Sequence, residues 1–98
     1  MYNYEGHLNI LYLGDIMLKK FSYIVHNEEA GYVLLEEQEE VFHILKTFVK
    51  DDFRGQGIAK ALLDDVYFYL KGSNKKVLPM CSYAEVYFEK NKEKRDVL

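Results

Sequence analysis

A chain of 98 residues that is 49% apolar, 30% charged and 15% aromatic, with a single proline, has the size and composition of one compact α/β or α+β domain. It contains no apolar run long enough to span a bilayer and no basic-then-apolar leader. Its one cysteine cannot close an internal disulfide, so a reducing, cytoplasmic setting without membrane contact is expected. The net charge of −3 is uneven: residues 1–45 carry eight acids against Lys19 and Lys20, a charge of −6, and residues 46–98 carry eleven Lys or Arg against eight acids, a charge of +3. Such a split fits either an anionic ligand on the basic side or simple surface scatter. An acidic total with no basic stripe among aromatics excludes a nucleic-acid footprint.

In chain order, residues 1–20 hold "HLNILYLGDIMLKK", which suits an extra strand or an amphipathic turn, with Tyr2 and Tyr4 on a frayed end. The pattern then sharpens. "FSYIVH" (21–26) and "YVLLEE" (32–37) read as strands separated by the turn cluster "NEEAG" (27–31), and "VFHILKTFV" (41–49) reads as a third strand after the polar "EQEE". Short turns between consecutive strands imply an antiparallel meander. His43 falls on a face with Val41, Leu45 and Val49 and reads as a hydrogen-bonded structural histidine. His7 and His26 read as exposed. The Glu36–Glu40 cluster reads as a solvated turn that offers, at most, attraction for a cationic amine.

After "KDDFRGQG" the period changes. Ala59, Leu62, Leu63, Val66 and Leu70 recur at helical spacing, with Lys60, Asp64 and Lys71 on the opposite face and Gly72 placed for a left-handed cap near Lys71. "KKVLPM" (75–80) is a short strand, and "SYAEVYFEKNKEK" (82–94) is a second helix with basic residues at its C-terminal end. The order is βββαβα in a single domain, 1–98, with the crossover helix joining parallel strands.

Gly55 and Gly57 stand at the entrance of the first helix, where glycine is otherwise unfavourable. First-turn N–H groups lack internal acceptors and carry partial positive charge, so the arrangement suits a pyrophosphate approaching bare backbone, with Arg54 adding charged donors. A helix entrance that merely permits tight packing is the other reading of the same residues. There is no G-x-x-x-x-G-K-[ST], and the third glycine of a dinucleotide fingerprint is replaced by Lys60.

The run from Val49 through Leu63, "VKDDFRGQGIAKALL", resembles the signature motif of the GNAT superfamily of N-acetyltransferases: Arg54, Gly57 and Ala59 occupy its fixed positions. "KKVLPMCSYAEVYFEKN" is similar to a subgroup of very short members with a Pro-x-Cys segment before the last helix. The resemblance implies a minimal GNAT-like α/β fold: an antiparallel three-stranded meander, then helix, parallel strand and C-terminal helix. It implies acetyl-CoA as co-substrate, its pyrophosphate held by Arg54, Gly55, Gln56, Gly57, Ile58 and Ala59. A backbone N–H at Phe48 or Val49 would face the acetyl carbonyl, and the acceptor would be a primary amine on a protein lysine, an N-terminus or a polyamine. A non-catalytic CoA-binding module is the alternative. A monomer or a homodimer is compatible with both.

Cys81 falls where many members place an asparagine beside the thioester. A thiol at a helix N-terminus is favoured as thiolate, which makes an acetyl-cysteine relay possible, whereas a lone cysteine otherwise packs as a small apolar residue. The member tyrosine that often donates a proton is Phe88 here. Tyr87 points about 100° away around the helix, and Tyr83 is the nearest substitute phenol, with sheet packing as its alternative role. Three histidines and one cysteine show no metal-ligand spacing, so no metal is expected. Members with a longer N-terminal part cover the acceptor site with two helices. The few residues before Phe21 leave that side open.

Overall fold

The computed structural model describes residues 5–14 and 16–98, and the side chains of residues 5–7, 12 and 13 lie outside that description, as do Tyr2 and Tyr4. Among these residues five strands form one sheet in chain order: β1 (Glu5–Leu13), β2 (Ile16–Val25), β3 (Glu28–Glu37), β4 (Val41–Val49) and β5 (Lys76–Pro79). The first four run antiparallel and β5 runs parallel to β4. Helix α1 (Ile58–Lys71) makes the crossover, α2 (Ser82–Lys90) follows β5, and short 3-10 turns occupy Asp51–Phe53 and Lys92–Val97.

The meander therefore has four strands rather than three, because β1 and the start of β2 fill the segment that sequence left open. Pairing from Glu5–Ile24 to Leu13–Ile16 makes it a hairpin. The turn expected over residues 27–31 is only His26 and Asn27, both with positive φ (49° and 65°), as a two-residue hairpin turn requires. Ala30 becomes an extra residue in β3, since Tyr23 pairs with Gly31 and Ile24 with Glu29.

Both helices lie on one face of the sheet. Ile58, Leu62, Leu63, Val66 and Leu70 of α1 are buried against Val33, Leu35, Phe42, Ile44 and Val49, and Ala84 and Phe88 of α2 join the same core. Each buried aliphatic side chain contributes about 1.5–3 kcal/mol. The expected opposite face of α1 is only partly solvent: Asp64 is bonded to Lys94 and Tyr87. Gly72 is not left-handed (φ −80°); the left-handed residue is Asn74 (φ 61°). Helix α2 ends earlier than expected, at Lys90, because Asn91 leaves helical geometry (φ −122°, ψ 68°) and its side-chain amide donates to the Tyr87 carbonyl.

Glu36 and Glu37 end β3, as the strand reading of 32–37 has it, but they are paired rather than solvated. Glu37 lies between Lys19 (2.7 Å) and Lys75 (2.5 Å), and Glu36 faces His43 at 3.4 Å. Lys19 is buried under Phe42 and Tyr69 and donates to the Tyr69 hydroxyl. Burial disfavours its charge, but the bonds to Glu37 and Tyr69 prevail and raise its pKa.

Candidate active site

The site is built where β4 and β5 part. Ile44–Pro79 is their last register pair, closed by the Met80 N–H donating to the Ile44 carbonyl at 2.9 Å. Beyond it the chain from β5 turns into α2, while β4 runs on to Val49 with nothing of β5 beside it.

A bulge decides what β4 shows at that opening. Leu35 pairs with Ile44 and Leu34 with Lys46, so Leu45 is an extra residue. The buried face consequently shifts from Phe42 and Ile44 to Thr47 and Val49, which is why His43, Leu45 and Val49 do not share the face expected of them. At the far end the Lys50 N–H donates to the Ala30 carbonyl at 2.8 Å. Counting back by twos, Phe48 bonds toward Tyr32 in the ladder, and the backbone groups of Thr47 and Val49 turn to the open edge. The Arg54 Nε–H donates to the Val49 carbonyl there at 3.3 Å. Of the two backbone groups anticipated, the one at Val49 faces the opening and the one at Phe48 faces β3. Thr47 was not anticipated, since only the bulge reveals its direction.

From Val49 the chain passes through the 3-10 turn to Arg54, Gly55, Gln56 and Gly57, all exposed. Gly57 is the N-cap of α1, with φ 77° and ψ 15°, and a Cβ built on it meets nothing within 4 Å. The first helical bond is from the Ala61 N–H to the Gly57 carbonyl, so the N–H groups of Ile58, Ala59 and Lys60 remain at a positive helix pole with no acid in the first turn. This bare, exposed cradle of free N–H donors suits a pyrophosphate.

Cys81 is the N-cap of α2, in extended conformation, and its Sγ lies 3.4 Å from the Thr47 Oγ1. The thiol is half-buried at the mouth of the opening. Between the helices runs a groove of about 360 Å³, lined by Ala59, Lys60 and Leu63 of α1 and Tyr83, Val86 and Lys90 of α2. Through Ala59 it continues from the glycine cradle.

The sequence model of the family described as GCN5-related N-acetyl-transferase matches residues 20–97. The chain belongs to that family. No curated protein is significantly similar in sequence. The fold is similar to a ribosomal-protein-alanine N-acetyltransferase from Brucella melitensis biovar Abortus 2308 (TM-score 0.62, 21% identity, 76% of this chain and 62% of that one). It is similar also to a GNAT family acetyltransferase from Elizabethkingia anophelis solved with acetyl-CoA bound (TM-score 0.62, 24% identity, 76% and 52%). A GCN5-like protein from Staphylococcus aureus matches over more of both chains (TM-score 0.65, 27% identity, 92% and 86%). The chain spans about three-fifths and one-half of the first two.

Within this GCN5-related N-acetyltransferase fold, the phenols are distributed unequally. Tyr83 is 44% exposed and stands in the interhelical groove, whereas the Cys81 thiol turns to β4. Phe88 is buried with its ring edge-on to Tyr87. Tyr87 donates to Asp64 Oδ1 at 2.5 Å, and Lys94 donates to that oxygen at 2.6 Å and to the Tyr87 hydroxyl at 3.0 Å. Burial and the Asp64 charge push Tyr87 up to about 12. Burial alone would raise Asp64, but Lys94, Tyr87 and Lys60 bring its carboxyl down to about 2. Sequence spacing gave no sign of this cluster, because its members come from three elements. Among the described residues no group of three or more His, Cys, Asp or Glu could hold a metal ion, and no helix is long and apolar enough to cross a membrane.

Proposed function

We propose that the protein is an acetyl-CoA-dependent N-acetyltransferase acting on a primary amine. The observation that carries this reading is the convergence of three features on one opening: the free β4 edge at Thr47 and Val49, the bare cradle at Gly57, and the Cys81 thiol. Family membership supports the choice of co-substrate. The cradle N–H groups and Arg54 would hold the pyrophosphate, with Gly55 and Gln56 shaping its path. Lys60 and Lys90 at the rim of the groove suit the remaining phosphate, with Tyr83 offering a ring to the base.

Acetyl-CoA supplies an activated acetyl thioester. The β4 N–H groups are aimed at the edge where its carbonyl would lie and stabilise the negative charge that builds on oxygen. In the relay form of this reaction Cys81 is the nucleophile. Its thiolate attacks the carbonyl carbon, forming an S–C bond while the bond to the CoA sulfur breaks, and CoA leaves as thiolate and takes a proton from water. The neutral amine then attacks the acetyl-cysteine, forming C–N, releasing the Cys81 thiolate and giving its proton to water. Direct attack on the thioester needs the same cradle but not the thiol. A rapid-quench mass measurement of wild type and Cys81→Ala separates them: acetyl on Cys81 that decays when amine is added supports the relay, and undiminished turnover in the variant refutes it.

A second reading is favoured by one observation, the buried Phe88 at the family's proton-donor position. A CoA-binding module without turnover would bind acetyl-CoA and yield no acetylated amine under any acceptor.

A further inference from the structure

The sheet face opposite the helices carries an aromatic shelf immediately beside the open edge of β4. The rings of Tyr32 and Phe48 lie 5.5 Å apart, and Phe48 stands in sequence between Thr47 and Val49, so the shelf borders the stretch of β4 whose backbone turns to the open edge. Two ammonium groups lie over it. Lys20 is over Tyr32 at 4.6 Å but is also paired with Glu29 at 3.0 Å. Lys46 differs: among the described residues its ammonium meets only the Tyr32 and Phe48 rings, at 5.8 and 5.6 Å. An exposed cation without a carboxylate thus lies across a half-buried apolar surface at the mouth of the site.

We propose that this shelf receives the acceptor and that Lys46 selects a peptide amino terminus followed by acidic side chains, a reading that rests on the acetyltransferase assignment. The charges fit that occupant. An acidic side chain supplies the counter-ion that Lys46 lacks, and the peptide backbone lies over the two rings. The positive potential of Lys46 and Lys20 also disfavours a protonated amine and favours the neutral form that attack requires. A polyamine brings several positive charges to the same place and is repelled. The acidic Glu36–Glu37 end of β3 is not free to draw a cationic acceptor, because it is already engaged by His43, Lys19 and Lys75.

The test uses the full chain, acetyl-CoA and three peptides of equal length with free amino ends, rich in glutamate, glutamine or lysine. Steady-state KM is one readout. Perturbation of Tyr32 and Phe48 ring signals by the same peptides, with the amino end blocked, is a second readout that needs no turnover. The glutamate peptide is expected to have a KM about three- to fivefold below that of the glutamine peptide, the size of an exposed charge pair. Lys46→Met should abolish that preference and Lys46→Glu should reverse it toward the lysine peptide. An unchanged preference in Lys46→Glu, or spermidine or the lysine peptide as the best wild-type acceptor, overturns the proposal. Perturbation of the shelf by the glutamate peptide without any turnover would keep the surface and refute the acetyltransferase reading. Turnover without shelf perturbation would do the reverse.

Discussion

The Cys81 thiol and the Thr47 hydroxyl lie 3.4 Å apart, joining the N-cap of α2 to β4 at the point where β4 has lost its neighbour. That contact places the one cysteine beside the one stretch of β4 whose backbone faces the opening. Cys81→Ala is expected to keep acetyl-CoA affinity within about twofold, since the cradle is elsewhere, and to lose most transfer. Thr47→Val removes only a weak partner and should leave the fold intact while changing the rate of Cys81 alkylation by iodoacetamide. Equal turnover of Cys81→Ala and wild type would sink the relay.

Gly31 of β3 lies hard against the backbone of β4. A Cβ there would lie 2.6 Å from the Phe48 carbonyl oxygen and 3.3 Å from the Val49 Cα. Gly31→Ala therefore has to push β4 away at the segment that borders the site, at a cost of about 1–3 kcal/mol. Urea unfolding should report the loss, and acetyl-CoA affinity should fall as well. A variant as stable as wild type would mean that β4 yields at no cost.

The Asp64 cluster gives the fold an acid limit. The Asp64 carboxyl is depressed from 3.8 to about 2, so its contribution is fully present above about pH 4 and is lost as pH falls through about 2. Glu37 and Glu29 are also lowered, despite burial, by Lys19 with Lys75 and by Ser22 with Lys20, and act in the same direction. Asp64→Asn should cost roughly 1–2 kcal/mol at neutral pH and flatten the acid limb of a melting-temperature profile. An acid limb of unchanged steepness in the variant would assign it to the other carboxylates.

Much of this was legible in the chain because local patterns coincide with tertiary structure there. Leu62, Leu63, Val66 and Leu70 mark α1 by spacing alone, and Gly57 marks its entrance because positive φ and a bare cradle both call for glycine. The misreadings have common physical causes. The first twenty residues stayed open because β1, paired with β2, carries the exposed Leu8, Ile10 and Leu11, so its polarity does not alternate cleanly. The bulge at Leu45 changes the period of β4 midway, which hid Thr47 and misplaced Val49. Glu36 and Glu37 read as solvated because their partners, His43, Lys19 and Lys75, are distant in sequence.

Gly57 tests the cradle from two sides. With φ at 77°, any other side chain costs roughly 1–2 kcal/mol in strain, and its Cβ would project into the open space where the phosphate is expected. Gly57→Ala should weaken acetyl-CoA binding with α1 retained by circular dichroism, and Gly57→Val should weaken it further. Affinity unchanged in both would place the cofactor elsewhere.

The most direct measurement is a calorimetric titration of the full chain with acetyl-CoA at low and moderate salt. One-to-one binding that weakens with salt and is lost in Gly57→Val is the expected result. No heat of binding at millimolar acetyl-CoA would contradict both the transferase and the CoA-module readings, and would leave the two glycines as architecture alone.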